Sequence, residues 1–133
     1  MRAYLDPWSP QLLSILRIIT GFLVIAHGTQ KWFSFPAPPQ RPVELASLLG
    51  VAGTIELVGG ALMILGLFTR PAAFILSGLC AFAYFIAHAP NGFWPLLNRG
   101  ELAALYSFVF LYLAAAGPGP WSVDHLMRQR RDD

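Results

Sequence analysis

Charge and cysteine are what this sequence has least of. Only 12% of its 133 residues are Asp, Glu, Lys or Arg, against 56% hydrophobic, which is too little polar surface to clothe a soluble domain. An ordinary globular protein is thereby excluded, and the composition reads as an integral membrane protein. The net charge is only +2, and the basic residues stand at segment ends rather than in a stripe. A nucleic-acid binder needs a continuous phosphate-neutralising footprint, so nucleic acid is set aside as a partner. Cys80 is the sole cysteine. An internal disulfide, a C-x-x-C redox pair and a thiolate cluster are all excluded, and Cys80 reads as a small buried hydrophobe. No flavin, haem or iron–sulfur motif is present. His27 and His88 lie on separate segments without a spaced third ligand, so no metal site is assigned.

What the chain does have is long apolar runs. Four can be drawn, at about residues 11–33, 45–68, 71–88 and 101–117, against the roughly 20 residues a bilayer-crossing helix needs. The third and fourth are on the short side. The first is too interrupted by Arg17, and too poorly closed by small residues, to read as a cleaved signal peptide. Pro36, Pro38, Pro39 and Pro42 make a non-helical loop after it. Thr69-Arg70-Pro71 is a tight turn between the second and third runs, and residues 89–100 hold turn formers and aromatics suited to an interface. Gly117-Pro118-Gly119-Pro120 stops the fourth run, and a polar tail, 121–133, ends the chain. Arg2, Arg70, Arg128, Arg130 and Arg131 fall on the side of the termini, and Lys31, Arg41 and Arg99 on the other, a bias that favours both termini in the cytoplasm.

Each run carries one polar, small or aromatic stripe at helical spacing. Arg17, Gly21, Val24, His27, Gly28 and Lys31 share a face of the first, and Gly53, Glu56, Gly60 and Met63 a face of the second. Ser77, Ala81, Tyr84, His88 and Asn91 do so on the third, and Glu101, Leu105, Phe108 and Tyr112 on the fourth. Such stripes must turn inward, so the expected fold is an all-α antiparallel four-helix membrane bundle with a polar interior, in one domain.

Glu56 lies near the middle of its run, where a bare charge costs about 2.5 to 3.5 kcal/mol or more. A structural ion pair with Arg17 is the expected compensation, with His27 as a hydrogen-bonding neighbour; a pair that merely fixes helix packing explains it equally well. Depth along the helices brings His27, Gln30, Lys31, His88, Asn91 and Glu101 to one level near the end opposite the termini. Candidate catalytic residues are His27 and His88, placed to contact the carbonyls of a ligand, with Glu56 and Glu101 to exchange protons, and candidate ligand contacts are Lys31, Tyr84, Asn91 and Gln30. Lys31 and Arg99 read more simply as interfacial side chains that snorkel, and Tyr84, Tyr106, Tyr112, Phe82 and Phe108 as packing.

The ordered set of motifs resembles the DoxX family of small four-helix bacterial membrane proteins. The matching residues are Leu16-Arg17, Gly21 and His27-Gly28-x-x-Lys31, then Glu56-Leu57-x-Gly59-Gly60 and Gly66-x-x-Thr69-Arg70. His88-x-x-Asn91-Gly92-Phe93, Gly100-Glu101 and Gly117-Pro118-Gly119-x-x-Ser122-x-Asp124 complete the order. The resemblance implies a multi-pass protein of the bacterial inner membrane. Some members are subunits of a thiosulfate:quinone oxidoreductase, and others associate with redox-defence enzymes. Some carry a cysteine pair; Cys80 alone counts against a thiol relay. Thiosulfate would suit only the basic rim of Lys31, Arg41 and Arg99.

Three functions compete. One is a redox-associated subunit that binds a quinone between its helices and takes electrons from a partner protein. The second is a non-enzymatic scaffold or assembly factor for a larger complex, and the third a small-molecule or ion carrier, which at this size would require a homo-oligomer.

Overall fold

A computed structural model describes residues 4–132. Arg2, used above in the count of basic residues, lies outside them. After a single 3-10 turn the chain forms helices α1 (Ser9–Phe33), α2 (Leu48–Leu65) and α3 (Thr69–Ala83). A one-turn α4 (Pro95–Asn98), α5 (Glu101–Ala116) and α6 (Val123–Asp132) follow. There are no strands among the described residues.

The boundaries follow from local chemistry. Ser47 caps α2, its hydroxyl accepting the Gly50 amide at 3.1 Å. At the other end Gly66 adopts a left-handed φ of 66°, and the amides of Gly66 and Leu67 close on the carbonyls of Met63 and Leu62. α3 does not stop at Ala83: it runs on through a π turn, Tyr84–His88, and a 3-10 turn, Ala89–Asn91. The continuous segment Thr69–Asn91 is therefore 23 residues, longer than the 71–88 expected.

α1 packs along α2 and α3 along α5, with α2 and α3 joining the two pairs. Glycine permits the first contact. A Cβ on Gly28 would stand 2.7 Å from the Leu57 amide nitrogen, and one on Gly60 would stand 2.9 Å from that of Ile25. The two backbones touch at both levels, as they do where small residues replace the missing hydrophobic drive in lipid. α3 and α5 are held by packing of Leu76, Tyr106, Phe110 and Leu113, and by the Ser77 hydroxyl donating to the Ser107 carbonyl at 2.7 Å.

Polarity is reversed relative to a soluble protein. Phe22, Val58, Phe74, Phe85 and Phe108 point outward, while Ser14, Arg17, Thr20, Thr69, Ser77 and Asn98 are buried. Asp6–Phe33, Leu48–Leu65 and Thr69–Asn91 are each long and apolar enough to cross a bilayer. At 16 residues α5 covers about 24 Å, less than the ~30 Å hydrocarbon core.

Two expectations need correction. The stripe assigned to the fourth run faces out: Glu101, Leu105, Phe108 and Tyr112 are all exposed, and α5 buries Tyr106, Phe110 and Leu113 instead. In lipid the outer face is as apolar as the core, so hydrophobicity does not distinguish them. The third run is also longer than expected, and most of the polar tail forms α6.

Candidate functional site

The inward polar groups divide between the two ends of the molecule. At the end that carries the termini, the fully buried Arg17 donates to four carbonyls. Those of Met63 and Ile64 belong to the last turn of α2, where carbonyls lack the usual helical partner four residues on and that of Met63 has only the Gly66 amide. Those of Pro118 and Trp121 belong to the chain after α5, with Arg17 Nε at 2.9 Å from the former. Asp124 locks the same end. Its two carboxylate oxygens accept the Phe68 and Thr69 amides, each at 2.9 Å, and cap α3, while its own amide reaches the Gly66 carbonyl at 2.9 Å. Arg70 repeats the arrangement on the last carbonyls of α5, Ala114 and Ala115. The motif residues Arg17, Gly66, Arg70 and Asp124 thus form a structural clasp.

The expected pair of Arg17 with Glu56 is not formed. Arg17 is occupied by carbonyls two to three turns away, and Glu56 Oε2 instead accepts from Lys31 Nζ at 2.6 Å. The pair is mostly withdrawn from solvent, with side chains 16% and 15% exposed. Lys31 is therefore an inward counter-charge rather than a snorkelling cation.

This ion pair borders a cavity of about 330 Å3 among α1, α2, α3 and α5, toward the end opposite the termini. His27, His88, Arg99 and Cys80 contribute its other polar groups, and Val24, Leu76, Leu79 and Tyr106 much of its apolar wall. The volume is at the low end of the range typical of small-molecule sites, ~300 to 1,000 Å3. A second space of about 880 Å3 lies outside it, lined by Gln30, Arg41, Ser47 and Asn91. Lys31 and His88 line both.

The π turn is what brings His88 to the cavity. In a regular helix the eight steps from Cys80 rotate a side chain about 80° past alignment; the extra residue of a π turn takes back about 100°. His88 and Cys80 then line one wall. The His88 ring is held by Nδ1, 3.1 Å from the Asn98 carbonyl. A carbonyl only accepts, so Nδ1 is the donor in this contact, and Nε2 makes no hydrogen bond among the described residues. Asn98, which spacing arguments gave no weight, is the hub here. It is buried, donates to the Gly92 carbonyl at 2.9 Å and the Tyr84 hydroxyl at 3.3 Å, and accepts the Gly100 amide at 2.8 Å. The Asn-x-Gly order at 98–100, with Arg99 at a φ of 62°, is the signal that marks it.

Of the candidate residues, His27, Lys31, Glu56 and His88 therefore meet at one cavity. Gln30 and Asn91 stand at the outer space. Tyr84 serves the Asn98 hub, and Glu101 lies exposed in the first turn of α5. Arg99, Cys80 and Tyr106 join the lining. Arg99 has no carboxylate partner within salt-bridge distance among the described residues. No group of three or more potential metal ligands occurs among them either.

Comparison with known proteins places these residues in context. The DoxX family model matches residues 12–89. An uncharacterized protein of Haemophilus influenzae is 45% identical over 126 residues, covering 91% of this chain and 94% of its own. The inner membrane protein YqjF of Escherichia coli is 30% identical, covering 90% and 88%. An uncharacterized membrane protein of Mycobacterium tuberculosis is 29% identical, covering 91% and 84%. No solved structure matches.

Proposed function

This chain belongs to the DoxX family, and we propose that it is a redox-associated membrane subunit whose cavity takes the headgroup of a quinone. On this reading it is one domain, a four-helix bundle in the bacterial inner membrane, as the name of its Escherichia coli relative suggests, with both termini cytoplasmic. The observation that carries the reading is the cavity of about 330 Å3 in which Lys31, Glu56, His27, His88 and Arg99 converge over an apolar wall.

The chemistry matches both forms of such a ligand. A quinone presents two carbonyl acceptors, which Lys31 Nζ, the Arg99 guanidinium or the Tyr106 hydroxyl can serve as donors. A quinol presents two hydroxyl donors, and Glu56 and His88 Nε2 are acceptors for them. Reduction adds two electrons and two protons; Glu56 and the histidines pass the protons, and the electrons come from a partner protein. Turnover on this chain alone is not part of the proposal.

The test is native mass spectrometry of the protein extracted with its lipids, which reports quinone and partner subunits together. The wild-type protein should retain one quinone per cavity, and Glu56→Gln and His88→Ala should each lose it by tenfold or more. Wild-type retention in both variants, or none in the parent, refutes the proposal. A defined membrane complex that co-purifies without quinone and tolerates His27→Ala and His88→Ala would support the scaffold instead.

A further inference from the structure

The end that carries the termini has more positive charge than its own hydrogen bonds neutralise. Arg17 and Arg70 are spent on carbonyls, which supply dipoles but no counter-charge. On α6, Arg128, Arg130 and Arg131 are exposed, and no carboxylate lies within salt-bridge distance of them among the described residues.

Where α6 sits is fixed. Asp124, in its first turn, is tied to Gly66, Phe68 and Thr69, the junction of α2 and α3, and therefore to the edge of the apolar layer. The first turns of α6 nevertheless expose Leu126 (58%) and Met127 (45%), beside the exposed Phe68 (63%). Apolar side chains next to arginines at that level suit neither bulk water nor hydrocarbon alone; they suit the headgroup boundary. Between α6 and the hairpin lies a cleft of about 240 Å3, whose walls are Phe68, Met127, Asp124, Arg128 and Arg131. Both carboxylate oxygens of Asp124 are engaged by amides, and its one negative charge offsets only one of the two guanidinium groups, so the cleft keeps a net positive charge.

We propose that this cleft binds the phosphate of an anionic phospholipid from the adjoining leaflet. Arg128 and Arg131, one turn apart, hold the phosphate oxygens, and Phe68 and Met127 lie along the start of the acyl chains. The inference is independent of the quinone reading, and it gives α6 a role as a lipid-specific anchor. Anionic lipid at this end accords with termini in the cytoplasm.

The experiment uses the full chain in nanodiscs containing equal phosphatidylglycerol and phosphatidylcholine, with bound lipid counted by native mass spectrometry. Wild-type protein should retain phosphatidylglycerol selectively. Each arginine near a charged surface is worth about fivefold, so R128Q/R131Q should lower the selectivity about 25-fold, and R128K/R131K should recover most of it. R41Q, at the opposite end, should leave it unchanged. Wild-type selectivity in R128Q/R131Q, or a loss in R41Q equal to that in R128Q/R131Q, overturns the site. Inorganic phosphate added to phosphatidylcholine-only discs should give no retained adduct; a retained adduct that depends on Arg128 and Arg131 overturns the assignment to lipid.

Discussion

Replacing Arg17 with methionine removes the guanidinium at the centre of the clasp while keeping an unbranched apolar stem. The guanidinium is fully buried and donates to the carbonyls of Pro118, Met63, Ile64 and Trp121. A hydrogen bond to a charged group is worth about 1.5 to 3 kcal/mol. The four do not add, because one desolvated cation makes them all. The substitution removes the cation itself, so its cost is that of the carbonyls left behind. Those of Pro118, Ile64 and Trp121 lose their donor, while that of Met63 keeps the Gly66 amide. At about 1 to 3 kcal/mol for each unsatisfied group, offset by the relief of the cation's desolvation, the loss is about 4 kcal/mol. Against a total stability of about 5 to 15 kcal/mol that is a large fraction. Thermal unfolding in nanodiscs should show a midpoint lower by about 10 to 20 °C, with the segment after α5 becoming protease-sensitive first. R17K should recover part of the loss, since an ammonium keeps the charge but has three donors on one atom and no fork to span two segments. The decisive arm is a double-mutant cycle with Glu56→Gln. Arg17 lies about 20 Å along α1 from Lys31, the actual partner of Glu56, so the two substitutions should add to within about 0.5 kcal/mol. A coupling above about 1 kcal/mol, or an R17M protein as stable as its parent, refutes the reasoning.

Three further outcomes follow from the same contacts. Lys31→Met leaves Glu56 as an unpaired acid at the cavity wall and should cost about 2 to 3 kcal/mol in unfolding experiments, while adding Glu56→Gln should restore at least half of it. Asp124→Ala uncaps α3 and frees the start of α6; a loss of about 1 to 2 kcal/mol is expected, with faster hydrogen exchange at the Phe68 and Thr69 amides as its local signature. Gly28→Leu drives a side chain into the Leu57 backbone, where even a Cβ would stand at 2.7 Å, and should cost more than about 2 kcal/mol, against less than about 0.5 kcal/mol for Gly78→Ala, whose Cβ meets nothing within 4 Å.

The long helices were legible because a membrane span leaves a run too long to be chance, and because prolines punctuate the loop before α2. The α1 and α2 stripes were legible for a related reason: glycine at helical spacing marks a close backbone approach, and Gly21, Gly28, Gly53 and Gly60 are all buried. The face of α5 was not legible, since lipid imposes no polarity on the outside. Arg17's partners were hidden because carbonyls carry no residue signature. The Asp124 cap joins positions 55 and 56 apart in sequence, and only the fold brings them together. The π turn likewise left no periodic trace; regular spacing put Tyr84 and His88 on one stripe, and the extra residue separated their duties.

The division between the two ends bears on what Glu56 is for. Had it paired with Arg17, it would have belonged to the clasp, and the cavity would have been left with cations and histidines alone. Its pairing with Lys31 makes Glu56 the carboxylate of the cavity wall instead. Lys31 and His88 line both the inner cavity and the outer space, so a ligand that moves between them passes the ion pair. A charged partner lost from a pair this withdrawn is costly, whereas a ligand that donates to Glu56 as it draws off Lys31 keeps both groups satisfied. On the proposed reading a quinol hydroxyl does both, donating to Glu56 and accepting from Lys31, whereas a quinone carbonyl only accepts from Lys31. The clasp can then be read as what frees the cavity to hold groups chosen for a ligand: helix ends tied by Arg17, Arg70 and Asp124 at one end allow the other to forgo close packing.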